Sequence, residues 1–370
     1  MDGISIVIIS RGRTALLEEL LESVQTAREK ADFPTEIILV DSSLGNDREA
    51  VRRLGERYQV NYFYQDITVS AKRNYGVAQS SYEVVLFLDS DCLATPDILK
   101  NYAEIYRNHP DAAGAGGPLE FVGEDTWFWK VVEKTPYTIF FSAAKWGETM
   151  KWSPTANFSV KKETFLSIGG FDETFPKDPG GEDVDLGLRL SRLGTIYSVP
   201  DALVYHSKAT WSPVKAMFRR VFHYGAGELY LMERYPQMVC SGMPRRVCMM
   251  ACGMLLYLVL GLLLNPWFFL GIVLTPAAEC AVTSIEINRF ASYKGTAFGK
   301  QFVVQLLLLW NEMGFLHECV RRRKICYTEK QLIHFRPQMD GVCQQNVMTA
   351  WIYSGYLLVT FLLVIMSLFF

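Results

Sequence analysis

This 370-residue sequence has no surplus of charge: 37 Lys and Arg face 39 Asp and Glu, a formal net charge of −2. No Lys/Arg stripe with interleaved aromatics crosses its polar part, so nucleic acid is not expected as a partner. The eight cysteines, Cys92, Cys240, Cys248, Cys252, Cys280, Cys319, Cys326 and Cys343, contain no Cys-x-x-Cys pair. They cluster in or near apolar segments, which argues against a zinc site or disulfide framework and for reduced thiols used as small hydrophobes. A leader pattern is missing too. The apolar stretch Ile4 to Ile9 is short and Arg11 and Arg13 follow it, so the N-terminal part is expected to stay in the cytoplasm and the sequon Asn157-Phe158-Ser159 to be accidental. No internal repeat is evident.

What is abundant is apolar side chain, 50% of residues, and the excess collects after about Met243. We expect a soluble domain over 1–238 and a membrane-associated region over 239–370. About 36 residues from Val247 carry Glu279 as their only charge, too many for one span. Asn265-Pro266 supplies a turn, giving spans near 247–264 and 267–282. A third, uncharged run covers 349–370. The cluster Arg321-Arg322-Arg323-Lys324 belongs on the cytoplasmic face. Phe302 to Leu316 carries Gln305, Asn311 and Glu312 and is expected as an interfacial helix near 301–317, because spanning would bury Glu312. The expected protein is multi-pass, contacts membrane lipids and keeps its catalytic domain cytoplasmic.

The soluble part alternates. Ile4 to Ile9 is a β-branched run suited to a strand covered on both faces, and Leu17, Leu20, Leu21 and Val24 then recur at helical spacing. The pattern repeats as strand Glu36 to Val40, helix Asp47 to Tyr58, strand Val60 to Tyr64, helix Ser70 to Ala78, strand Val84 to Leu88 and helix Pro96 to Asn108. This predicts an α/β fold, a mostly parallel sheet with helices on both faces. Ligands bind such sheets beyond the carboxyl ends of the strands. Those ends are polar here: Ser10 and Arg11, Asp41, then Asp89, Ser90 and Asp91. The stretch Thr126 to Lys151 is rich in Trp, Phe and Tyr and is expected to be a lid or acceptor-binding insertion.

Three motifs carry chemistry. Phe87-Leu88-Asp89-Ser90-Asp91 places two carboxylates one residue apart after a buried strand, a donor set for Mg²⁺ or Mn²⁺ on a diphosphate. Alone, the pair would as readily cap the helix beginning at Pro96. Gly180-Gly181-Glu182-Asp183 puts acids at the positive end of a helix, while Asp185 and Arg189, four apart, read as a surface pair. Val204-Tyr205-His206 closes an alternating segment and offers an imidazole as a third metal ligand.

In this order the motifs resemble family 2 of the glycosyltransferases, with the GT-A Rossmann-like fold, over roughly Ile4 to Pro236. The likeness includes the EIILVDSS segment, AKRNYGVAQSS, FLDSD, GGFDETF, GGEDVDLGLRL and VYH. It implies that Asp41 contacts the nucleoside base and that Lys72, Arg73 and Asn74 lie along the nucleotide. Asp89 and Asp91 then serve the metal diphosphate, and Asp183, beside Glu182, is the general base. Ser10-Arg11-Gly12-Arg13 replaces the family's Pro-containing turn. The QxxRW motif of processive synthases is absent, and Arg220, in Phe218-Arg219-Arg220, holds a similar place and is a candidate phosphate contact.

The expected activity is a metal-dependent, inverting, non-processive transfer of a sugar from a nucleotide diphosphate donor, with UDP preferred. The acceptor is a hydroxyl of a lipid-linked or cell-surface glycan. The expected donor contacts are Ser10, Arg13, Asp41, Lys72, Arg73, Asn74, Asp89 and Arg220, with Asp89, Asp91 and His206 on the metal. The rival readings are a nucleotidyltransferase, whose Gly-rich phosphate loop is not seen after the first strand, and a non-catalytic scaffold, which would have scattered its acids.

Overall fold

The computed structural model describes residues 1–175, 180–241, 244–287, 297–332 and 354–367, with the backbone alone at 285–287. The ends of the expected third span, Met243 and Cys343 lie outside them. The chain forms two compact units, one of Met1–Trp129 with Pro136–Ala216, the other of Lys130–Thr135 with Met217–Phe370.

In the first unit, elements follow as β1 Ile4–Ser10, α1 Thr14–Lys30, β2 Thr35–Asp41, α2 Gly45–Arg57, β3 Asn61–Tyr64, α3 Val69–Gln79, β4 Val84–Asp89, β5 Cys92–Ala94, α4 Ile98–Asn108, β6 Ala112–Gly116 and β7 Leu119–Val122. The single turn α5, Trp129–Val132, straddles the units. Then come β8 Thr149–Met150, β9 Asn157–Lys161, α6 Lys162–Ser167, α7 Glu182–Leu190, β10 Thr195–Ser198 and β11 Val204–Ser207. Eight strands join in the order β3-β2-β1-β4-β9-β6-β10-β8. The pairs β3–β2, β2–β1 and β1–β4 are parallel, as the alternating sequence requires. β10–β6 is parallel too, whereas β9 runs antiparallel to both β4 and β6 within this mostly parallel sheet. A second sheet, β5-β11-β7, was not visible in the sequence pattern.

The continuous apolar runs are buried on both faces. Ile4, Ile6 and Ile8 pack on one side with Leu17, Leu20, Leu21 and Val24 of α1 and Tyr102 of α4. Val7, Val40, Val85 and Phe87 face the other side with Leu186 and Leu190 of α7. Each large side chain so buried contributes about 1.5–3 kcal/mol relative to exposure. The register sets the pocket rim, aligning Ser10 with Asp41 and Ile9 with Asp89, so the three strand ends open at one level.

The second unit holds most of α8 Val214–Arg234, then β12 Val239–Ser241, α9 Arg246–Leu263, α10 Phe269–Ile287, α11 Phe298–Arg321, β13 Lys330–Leu332 and α12 Ser354–Ser367. Two helical stretches, Arg246–Leu263 and Pro266–Ser284, are long and apolar enough to cross a membrane. Asn265 accepts the Trp267 N–H at 3.0 Å and makes the turn between them. Leu262, Leu263, Leu264 and Val273 are exposed. Glu312 on α11 is buried among other side chains and paired there: it accepts Arg246 Nε at 3.0 Å and the Val247 N–H at 3.0 Å. The basic cluster is paired as well, Arg322 and Lys324 both reaching Glu233.

Candidate active site

At the ends of β1 and β2, Asp41 is fully buried and acts as a hub. Its Oδ1 accepts from Ser10 Oγ at 2.6 Å and from Ser43 Oγ at 2.6 Å, and its Oδ2 from Tyr62 at 3.3 Å. Lys72 enters from α3 and donates to the Ser10 carbonyl at 3.0 Å and to Ser42 Oγ at 2.8 Å. Burial pushes its ammonium down to about 8, with the Asp41 charge opposing. Thr68 caps α3 by accepting the Ala71 N–H, and successive residues on a helix point about 100° apart. Arg73 therefore points elsewhere.

Arg73 joins the two acidic motifs. Its Nη2 lies 3.0 Å from Asp89 Oδ1 and its Nη1 3.3 Å from Glu182 Oε1. Glu182 also accepts the Gly180 N–H at 2.8 Å, where Gly181 (φ 93) turns the chain into α7. Asp183, partly buried, accepts the N–H of Val184 at 2.8 Å. Burial, then the Glu182 charge, push its carboxyl up to about 7. A carboxyl titrating near neutrality suits proton abstraction.

Asp91 is buried at the other side. Arg13, held in a left-handed conformation (φ 59), reaches it with Nη1 at 2.8 Å, and His206 Nε2 stands 3.7 Å from its Oδ1. The imidazole sits among the rings of Phe121, Trp211 and Phe141, with centroids 5.4, 6.0 and 6.2 Å away. Ligand atoms of Asp91, Cys92 and His206 lie within 4.8 Å of one another, and Asp89 is not one of the three. Burial pushes the Cys92 thiol well above its ordinary value, and Cys92 packs in the apolar core. It is a hydrophobe here, which leaves a carboxylate and an imidazole, a donor pair that fits a divalent cation.

Asn74 spends its amide on Phe171, donating to its carbonyl at 2.9 Å and accepting its N–H at 2.8 Å. Arg220 lies on α8 in the second unit. Asp185 and Arg189 are not a surface pair: Asp185 is fully buried, and Arg189 clamps the carbonyls of Ile168 and Gly170 at 3.0 and 2.7 Å. The sequence reading missed three features: the Arg13–Asp91 pair, the double engagement of Arg73 and the aromatic cage of His206. Only the richness in aromatics between Thr126 and Lys151 hinted at the last.

Comparison with known proteins gives the family and the fold. The family profile described as "Glycosyltransferase like family 2" matches residues 6–228. Validoxylamine A glucosyltransferase of Streptomyces hygroscopicus subsp. jinggangensis is 26% identical over 219 residues, 52% of this chain and 52% of the relative. Glucosyl-dolichyl phosphate glucuronosyltransferase of Haloferax volcanii is 27% identical over 165 residues, 42% of this chain and 51% of the relative. The chain thus spans about half the length of these curated relatives. Among solved structures, the mannosyltransferase PcManGT of Pyrobaculum calidifontis, in complex with GDP-Man and Mn²⁺, superposes with a TM-score of 0.53 at 17% identity, covering 85% of this chain and 86% of that one. That likeness gives the fold, and the profile, spanning more than half the sequence, gives the family: the chain belongs to the family 2-like glycosyltransferases.

Proposed function

We propose that this protein transfers one sugar at a time from a nucleoside diphosphate donor, UDP in preference, to a hydroxyl of a lipid-linked or cell-surface glycan. The anomeric configuration is inverted. The observation that carries the reading is Arg73, which holds Asp89 and Glu182 at one point of the rim beside Asp183. In this reading the acceptor oxygen bonds to the anomeric carbon, its proton passes to Asp183, and the bond to the donor phosphate breaks with its electron pair on the leaving diphosphate.

Lys72 and Arg13 supply positive charge along the diphosphate, and Asp41 meets the nucleoside through Oδ2. A divalent cation, Mn²⁺ or Mg²⁺, bound by Asp91 and His206 with Asp89 beside them, would supply Lewis-acid neutralisation of the departing diphosphate. The mannosyltransferase complex with GDP-Man and Mn²⁺ supports a divalent requirement. Arg220 is assigned to the diphosphate only by its place in the motif order. Helices α9 and α10 and the apolar α12 anchor the enzyme in a membrane, with α11 at the interface and the catalytic unit on the cytoplasmic side.

The test is a panel of nucleotide sugars assayed for Mn²⁺-dependent thermal stabilisation of the detergent-purified chain, followed by product analysis. A shift with UDP-sugars and release of UDP on transfer are expected. Pyrophosphate release, or no nucleotide response, would overturn the proposal.

A further inference from the structure

Between β7 of the second sheet and β9 of the main sheet the chain forms a 3₁₀ segment at Ile139–Lys145 and joins the main sheet at its edge strand β8. Three aromatic rings from this excursion form a row. Phe140 stands 5.6 Å from Trp152 and 6.1 Å from Trp146, centroid to centroid. The outer member, Trp146, is 48% exposed. The inner member lies against the catalytic helix: a Cβ placed on Gly187 of α7 would fall 2.4 Å from Trp152 Cβ and 2.5 Å from its Cα. Only glycine permits that approach. Gly187 is four residues after Asp183, so the two share a face of α7 one turn apart. The row therefore runs from beside the base out to solvent.

The geometry points to Phe140, Trp146 and Trp152 as a platform for the sugar rings of a glycan acceptor, extending outward from the hydroxyl presented to Asp183. This rests on the transferase reading above. Aromatic faces meet the C–H faces of pyranose rings with large contact area and little loss of side-chain freedom. Exposed Lys145, which bonds Glu120 at 2.6 Å, and exposed Glu148 and Lys151 surround the row. These side chains can serve the hydroxyls of a glycan, Lys145 and Lys151 as donors and Glu148 as an acceptor.

The experiment uses the full chain in a detergent without a sugar headgroup, presented with UDP and Mn²⁺ to an array of neutral and acidic oligosaccharides. The variants are Trp146→Ala and Trp146→Phe. Hydrolysis of the donor by water and Mn²⁺-dependent stabilisation by UDP are followed in parallel. A lost stacking contact should weaken glycan binding by Trp146→Ala about five- to ten-fold, with Trp146→Phe close to the parent, while both donor-side readings stay within about two-fold. Equal array binding by the parent and Trp146→Ala overturns the platform. So does a parent that binds no glycan while its donor-side responses are intact, and that result leaves the transferase reading standing. Loss of the donor-side responses in the parent itself removes the transferase reading and the platform together.

Discussion

Arg73 and Glu182 are 109 positions apart in the chain, yet their buried side chains meet at 3.3 Å, and the same guanidinium holds Asp89 at 3.0 Å. Removing one partner of a buried pair leaves an uncompensated charge. Arg73→Ala should therefore lose about 3–5 kcal/mol, seen as a fall in melting temperature of roughly 10 °C. Melting within about two degrees of the parent would show that Arg73 does not hold the two acidic motifs together.

Asp183→Asn removes the proposed base. Turnover should fall by about 10²–10⁴ while nucleotide affinity changes little, measured by transfer kinetics and calorimetry. The same variant reports on folding. A carboxyl whose folded value is raised contributes stability that is present at low pH and lost as pH rises through about 7. Asp183→Asn should thus melt higher than the parent at pH 8 and alike at pH 4, so an inactive variant that also melts low would argue for simple misfolding.

The pH dependence follows with its sign. Below about 7 Asp183 holds its proton and cannot accept another, so kcat/KM should rise with pH through that region and fall about ten-fold per unit below it. Glu182→Gln deletes the negative neighbour that helps raise this carboxyl, so its rising limb should move to lower pH. A limb unmoved in Glu182→Gln would assign it to another group.

At the proposed metal site, Arg13 would compete with a cation for Asp91. The pair is half-exposed at Arg13, and such pairs are worth about 0.2–1 kcal/mol. Arg13→Ala should therefore tighten Mn²⁺ binding to the nucleotide-free protein by up to about five-fold and weaken nucleotide binding. His206→Ala should weaken Mn²⁺ directly. Titration calorimetry without nucleotide separates the two, and unchanged Mn²⁺ affinity in both variants would remove Asp91 and His206 as ligands.

Much of this was readable because parallel strands write themselves as unbroken apolar runs: β1, β2 and β4 could be located from Ile4 to Ile9, Glu36 to Val40 and Val84 to Leu88 alone. The acids that close these strands were readable for the same reason, and Asn265-Pro266 marked the turn after α9. Strands β5 and β7, of three and four residues, are too short to show a period, and the alternation that ends at His206 did not say which strands β11 would join. The pairing of Arg246 with Glu312 joins residues 66 positions apart, so the sequence charged Glu312 with a burial penalty that its partner offsets. Asp185 and Arg189 misled in the other direction, since their four-residue spacing is identical for a solvated pair and a buried clamp.

Lys72 and Arg73 are neighbours on one turn of α3, the first gripping the end of β1, the second the two acidic motifs. The helix is in effect a common axle. On the transferase reading proposed above, any tilt of α3 that re-aims Lys72 also displaces the guanidinium that joins Asp89 to Glu182. Swapping donor preference by altering residues under α3, or Ser42, whose hydroxyl accepts from Lys72, will therefore drag the rate along with it.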